Sequence, residues 1–307
     1  MSDLVQRFDV TPSLINQINQ EGAVVLRQLF TSEAIKAFEK AALDLSVPPD
    51  HDGDNSFKRL AYGDGPPSKI ITALCRSTEF SRIIGRLTGQ HQVATNMLSF
   101  ELTPADKGSE WHFGRRSFCF VGPEVASFTL WIPLTPVREE PNGGGLIWAP
   151  QDMFSAYSRI QQWTMVFRSL GKIGGRDFLS AARLLQFGPD GDPWTGPFDE
   201  QILEAAKHPD QDFDPGDALL FSRNVWHRTS RLKSADLPNR KAIVIRFSDG
   251  RSFLDKKCIE GVAKSLRPKA DNFLTMLMDA DETVALAAQP FATSLAESEP
   301  LPESVSS

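Results

Sequence analysis

The chain of 307 residues is short of several things, and each shortage removes a class of protein. It has three cysteines, Cys75, Cys119 and Cys258, an odd number with no CxxC spacing. That argues against a disulfide framework and for a reducing compartment. No apolar run approaches the roughly 20 residues that a membrane-spanning helix needs. The opening "MSDLVQRFDV" is polar and lacks the apolar centre of a signal peptide, so a cytoplasmic location is expected. There is no basic excess: the net charge is −6 and the pI is near 5.5. No general polyanion-binding surface follows, and neither nucleic acid nor membrane is expected as a partner. P-loop, GxSxG, HExxH and paired CxxC motifs are absent, and no internal repeat is visible. Histidine is scarce too, with five in all.

What is present is enough apolar sequence, 41%, to bury a sizeable core. Thr11-Pro12 reads as a helix N-cap with proline at the first helical position, and Gly22 as a terminator. "GAVVLRQLF" is a short β-rich run, and Thr31 then caps "SEAIKAFEKAALDL". A polar loop over 47–68 and a helix in "STEFSRIIGRLTG" follow. From residue 91 the texture changes. "QVATNMLSFEL", "RSFCFVG", "ASFTLWIPLTPV", "GGLIWAP", "DALLFS" and "KAIVIRFSD" are short apolar or alternating runs bounded by Gly, Pro or Asp. Helices followed by short strands suggest a mainly β fold, an antiparallel barrel or jelly roll buttressed by N-terminal helices. Helical patterns over 152–212 interrupt the strands, and an insertion of that length suits a lid or a homo- or heterodimer contact. We expect one domain over 1–285 and a disordered tail over 286–307, rich in Ala, Ser, Glu and Pro.

His51 and His208 lie in polar stretches and read as solvated, and His91 opens a strand. His112 and His227 differ, because each follows a tryptophan on a strand-like segment, "EWHFG" and "NVWHRTS". Thirteen residues after His227, "NRKAIVIRF" carries Arg240 and Arg246 on one strand face. By residue type alone, that pair reads better as two surface arginines on an edge strand; beside the two Trp-His pairs the two readings weigh about evenly. Upstream, "FTLWIPLTPVREEPNGGGLIWAP" is a strand, a loop, a Gly-rich turn and a strand.

This ordered set resembles the phytanoyl-CoA dioxygenase-like branch of the Fe(II)/2-oxoglutarate-dependent oxygenases, over roughly residues 20 to 250. The resemblance implies a double-stranded β-helix, cupin-like, whose mouth holds iron through a His-x-Asp/Glu motif and a distant histidine. It places the iron ligands at His112 and His227 and the 2-oxoglutarate carboxylate on Arg240, with Thr129 and Trp131 lining that pocket. Arg246 falls near the same cavity. The chemistry suits the residue types, since neutral imidazoles bind Fe(II) and a guanidinium grips a carboxylate by two parallel hydrogen bonds.

The acid position of the motif falls on Gly114. In this family glycine or alanine there marks the aliphatic halogenases, in which a halide takes the coordination position that the carboxylate vacates. The resemblance therefore implies Fe(II), 2-oxoglutarate, O2 and chloride, and halogenation of an unactivated C–H bond in a small, secondary metabolite. Two other readings stand beside it. One is an oxygenase held by two histidines, with or without a carboxylate borrowed from Glu101 or Glu110. The other is a non-catalytic partner subunit. The aromatics of the insertion (Phe154, Tyr157, Trp163, Phe167, Phe178, Trp194) suit either helix packing or a lid over an apolar metabolite.

Overall fold

The computed structural model describes residues 4–47, 56–63, 68–89, 91–112, 114, 116–118, 120–122, 124–153, 197–209, 211–233, 238–257, 259–260 and 272–296. The N-terminal part is helical. Helix α1 (Pro12–Gln20) starts on the Thr11 side chain, which accepts from the Leu14 amide, and α2 (Ser32–Leu43) starts in the same way on Thr31. A seven-residue helix, α3 (Lys69–Cys75), leads into α4 (Thr78–Thr88). The latter is capped by Ser77 and closed by Gly89 at a φ of 62°, the left-handed conformation that glycine adopts without cost. It buries Phe80, Ile83, Ile84 and Leu87, an i, i+3, i+4, i+7 stripe.

The strands are β1 (Ala23–Leu26), β2 (Arg59–Tyr62), β3 (Gln92–Leu102), β4 (Ser127–Pro133), β5 (Leu146–Ala149), β6 (Ala218–Ser222), β7 (Trp226–Thr229), β8 (Arg240–Asp249) and β9 (Thr293–Ser294). They form two antiparallel sheets. The larger runs β1–β6–β4–β8–β3–β2, with β9 beside β3, and the smaller pairs β5 with β7. Three further α-helices are α5 (Glu139–Asn142), α6 (Pro197–Ala206) and α7 (Asn272–Asp279).

The alternation of β8 shows why the core divides in two. Ile243, Ile245 and Phe247 pack with α2, α3 and α4 on one face, in a cluster that includes Phe30, Phe38 and Phe80. Ala242 and Val244 point the other way, toward Leu98, Trp131, Leu146 and Trp148, so the second cluster fills the space between the sheets. Helices insulate one face of the large sheet, and its other face is left to build an interior site. This is the mainly β, helix-buttressed architecture that the sequence predicts.

The details depart from expectation in three places. "RSFCFVG" is no strand; Arg116–Phe118 is a single 3-10 turn. The polar stretch 47–68 contains β2, which pairs with β3. Residues 286–296 belong to the fold rather than to a tail: Phe291 and Leu295 are buried and Thr293 pairs with Ala94. Of the expected insertion, residues 154–196 lie outside the described residues, and with them the aromatics suggested for a lid; so do His51, Cys119, Cys258 and residues 297–307.

Candidate metal and oxo-acid site

The two Trp-His pairs are explained by strand alternation. Backbone hydrogen bonds in both directions bridge His112 and His227, at 2.9 and 2.8 Å. The preceding tryptophans, Trp111 and Trp226, turn outward into an apolar cluster with Ile147, Ala149 and Leu203 of α6. The histidines turn inward. The His227 ring lies 4.6 Å from Phe221 of the large sheet, and the two imidazoles face each other with centroids 4.2 Å apart. Tryptophan packs the back of the small sheet so that histidine can face the interior.

Each imidazole is oriented by its own chain. Nδ1 of His112 is 2.7 Å from the Glu110 carbonyl, and Nδ1 of His227 is 2.9 Å from the Val225 carbonyl. A carbonyl can only accept, so both Nδ1 atoms carry the proton and both Nε2 lone pairs are free. Burial lowers the pKa of both rings, with the charge of Arg246 acting in the same direction. His227 is pushed well below the ordinary value, because His112 adds to its burial. Two neutral imidazoles with free Nε2 atoms form the donor set that a divalent transition metal takes.

Among the described residues no group of three or more His, Cys, Asp or Glu side chains is arranged to hold a metal. Glu101, a candidate for a borrowed carboxylate, is engaged by Lys58 at 2.7 Å and Asn239 at 2.9 Å. Glu110 offers its carbonyl to His112 while the residue is exposed. At Gly114 the backbone amide donates to the Arg223 carbonyl. A Cβ there would meet Phe118 Cε2 at 3.2 Å and Arg223 Cα at 3.3 Å. Phe118 is fully buried, with the guanidinium carbons of Arg223 and Arg246 5.8 and 6.0 Å from its ring centre. Any side chain at 114 therefore requires Phe118 or the Arg223 backbone to give by a few tenths of an ångström.

The interior face of the large sheet supplies the rest. Cross-strand register sets Thr129 and Asn96 on either side of Arg246, and Trp131 and Leu98 on either side of Val244. Arg240 stands opposite Leu102 at the far end of β8, six positions and about 20 Å from Arg246 along the strand. The sequence places Thr129 and Trp131 together with Arg240. The structure divides them: Trp131 lies under the Arg240 guanidinium, 5.8 Å away, and Thr129 is level with Arg246. Arg246 is close enough to the histidines for its charge to depress both.

Arg240 is the most unusual group in the interior. It is 3% exposed, and among the described residues its guanidinium has neither hydrogen bond nor ion pair; Nε is buried without a partner. Burial pushes its pKa down to about 10, against the pull of the Glu139 charge. A buried, unpaired cation is a costly feature unless an anion completes it.

Three neighbours carry no motif that points to this site. Both amide atoms of Asn96 are buried without a partner, as is Nε1 of Trp148, which pairs in register with His227. His208, which the sequence leaves in solvent, stacks on Trp148 with ring centres 4.4 Å apart. The alternation of "GGLIWAP" is the one signal that could have placed Trp148 inward.

No protein-family profile and no curated protein sequence matches this chain. Similar solved structures exist at low identity. The alpha-ketoglutarate-dependent epimerase SnoN from nogalamycin biosynthesis superposes with a TM-score of 0.59 at 13% identity, covering 93% of this chain and 98% of SnoN. The carbocyclase SnoK from the same biosynthesis gives 0.55 at 14%, covering 85% and 92%. HygX from Streptomyces hygroscopicus, with nickel and 2-oxoglutarate bound, gives 0.52 at 12%, covering 78% and 87%. These likenesses establish the fold as a double-stranded β-helix.

Proposed function

We propose that this chain is a non-haem Fe(II)- and 2-oxoglutarate-dependent oxidoreductase acting on a small metabolite. One observation carries the reading: two imidazoles with free Nε2 atoms share a barrel interior with a buried guanidinium whose Nε has no partner and which forms no ion pair among the described residues. The residues fit both groups. His112 and His227 would hold the metal through Nε2. Arg240 would take the distal carboxylate of 2-oxoglutarate by two parallel hydrogen bonds, with Trp131 fixing the plane of the guanidinium. Asn96 and Thr129, beside Arg246, supply polar atoms at the metal end. When bound, iron and 2-oxoglutarate together supply the power to activate oxygen. The chain's own contribution is to orient the co-substrate, exclude water and stabilise its two negative ends. SnoN and SnoK belong to nogalamycin biosynthesis, which supports a secondary metabolite as substrate.

Within that reading we assign halogenation. The supporting observation is that no described carboxylate reaches the histidine pair, while the Arg246 cation lies close to it. A small anion from solution, chloride above all, is the natural occupant of a position with no protein ligand and a neighbouring positive charge. The test is an anaerobic titration with Fe(II) and 2-oxoglutarate, followed by the visible charge-transfer band, with and without chloride. A band that shifts with chloride is expected. A chloride-indifferent band would transfer the assignment to a two-histidine hydroxylase. Absence of any band would leave a non-catalytic subunit and end the enzymatic reading.

A further inference from the structure

Behind the histidine pair lies a contact that the metal and oxo-acid readings do not use. Oε1 of Glu204, on α6, accepts from Nε1 of Trp111 at 3.1 Å and from Nε of Arg228 at 2.7 Å. Trp111 immediately precedes His112, and Arg228 immediately follows His227. The Arg228 guanidinium also lies over the Trp111 ring, 5.5 Å from its centre. Leu203, the neighbour of Glu204, is 3% exposed in the cluster with Trp111 and Trp226. One carboxylate oxygen thus ties the outward-facing neighbours of both inward-facing histidines. Burial is the largest single influence on the Glu204 carboxyl and would raise it, but the Arg228 hydrogen bond and charge, the Trp111 hydrogen bond and the Lys207 charge together outweigh it, and the pKa lies below the ordinary value. The group is ionised at neutral pH and both hydrogen bonds are charge-assisted.

We propose that Glu204 is a positioning residue for the histidine pair, holding the two strands at the separation that lets both Nε2 atoms reach one ion. This inference rests on the metal reading. Because successive strand residues face opposite sides, fixing the back of each strand fixes the direction of its imidazole.

Cobalt(II) binding to the full chain tests the idea, read by titration and by the visible spectrum of the bound ion. Thermal melting serves as the control for folding. The variants are Glu204→Ala, Glu204→Gln, Trp111→Phe and the double His112→Ala/His227→Ala. Glu204→Ala is expected to weaken cobalt binding about tenfold and to alter the spectrum while still melting cooperatively. Glu204→Gln keeps an acceptor and should recover most of the affinity. Trp111→Phe keeps the ring but removes the donor, and should lower affinity even if the alanine variant does not fold. Unchanged affinity and spectrum in these single variants, with binding lost in the double histidine variant, would overturn the inference alone. No cobalt binding by the wild type would overturn the metal reading and this inference with it.

Discussion

Replacing Arg240 by methionine should make the protein more stable and, at the same time, useless to a dicarboxylate. A base whose pKa is lower in the folded state than in the unfolded chain penalises the fold wherever it is charged. Here the displacement from the ordinary guanidinium value down to about 10 is worth about 3 kcal/mol at 1.36 kcal/mol per unit. The sign matters. The penalty is present in full at every pH below about 10 and disappears only as pH rises from there through the ordinary guanidinium range, so it applies at neutral pH. Methionine has a similar reach, no charge and no donor, and it can lie against Trp131 as the guanidinium stem does. Arg240→Met should therefore raise Tm by several degrees in the unliganded protein. Added 2-oxoglutarate, with metal present, should raise the wild-type Tm by mass action and leave the variant unmoved. Arg240→Lys separates charge from geometry: it keeps a cation but not the two-pronged grip, and should lose most of the 2-oxoglutarate response without gaining stability. Differential scanning calorimetry with and without the co-substrate reads all three proteins. A lower Tm for Arg240→Met, with an undiminished response to 2-oxoglutarate, would refute the reasoning on both counts.

Removing both imidazoles with His112→Ala/His227→Ala should abolish Fe(II) binding, measured by metal analysis of protein purified without oxygen; equal iron in both proteins would refute the ligand assignment. Gly114→Asp should destabilise the fold by about 1–3 kcal/mol, because its Cβ meets Phe118 and the Arg223 backbone. Trimming the ring in Gly114→Asp/Phe118→Leu should relieve that clash, so the second change should cost less in the aspartate background than in the wild type, as a denaturant double-mutant cycle would show. Phe80→Ala should cost about 3–5 kcal/mol by the same measurement, since this ring is fully buried against Phe30 and Phe247.

How much of this was readable in the chain follows from the range of each interaction. The Trp-His pairs were visible because a strand imposes a period of two, and a period survives in one dimension. Arg240 and Arg246 could be placed on one face by the same rule, but that Arg240 is buried and unpaired is a property of three strands and a helix. Thr129 was grouped with Arg240, whereas the antiparallel register sets it level with Arg246, because the residue nearer the N-terminus of β4 meets the one nearer the C-terminus of β8. "RSFCFVG" has strand composition, yet Phe118 and Phe120 are drawn into a separate cluster with Leu254 and Leu286. Residues around 290 look like a tail by composition, and Phe291 alone, fully buried, shows how little apolar content suffices to anchor them. Glu204 could not have been found at all. Its partners lie 93 and 24 positions away and share no pattern with it.

The bridge between His112 and His227 joins positions more than a hundred residues apart in the chain. An ion shared by those two side chains would be a cross-link as well as a reagent, closing a loop that holds β4, β5, β6 and α6. For a covalent link of that span, the lost freedom of the unfolded chain is worth on the order of 4–5 kcal/mol. With no carboxylate at Gly114 as a third anchor, the clasp would have two points of attachment, His227 on β7 and His112 on the segment bridged to it. Chelation would then act as a mechanical release, loosening the segment that carries His112 from β7.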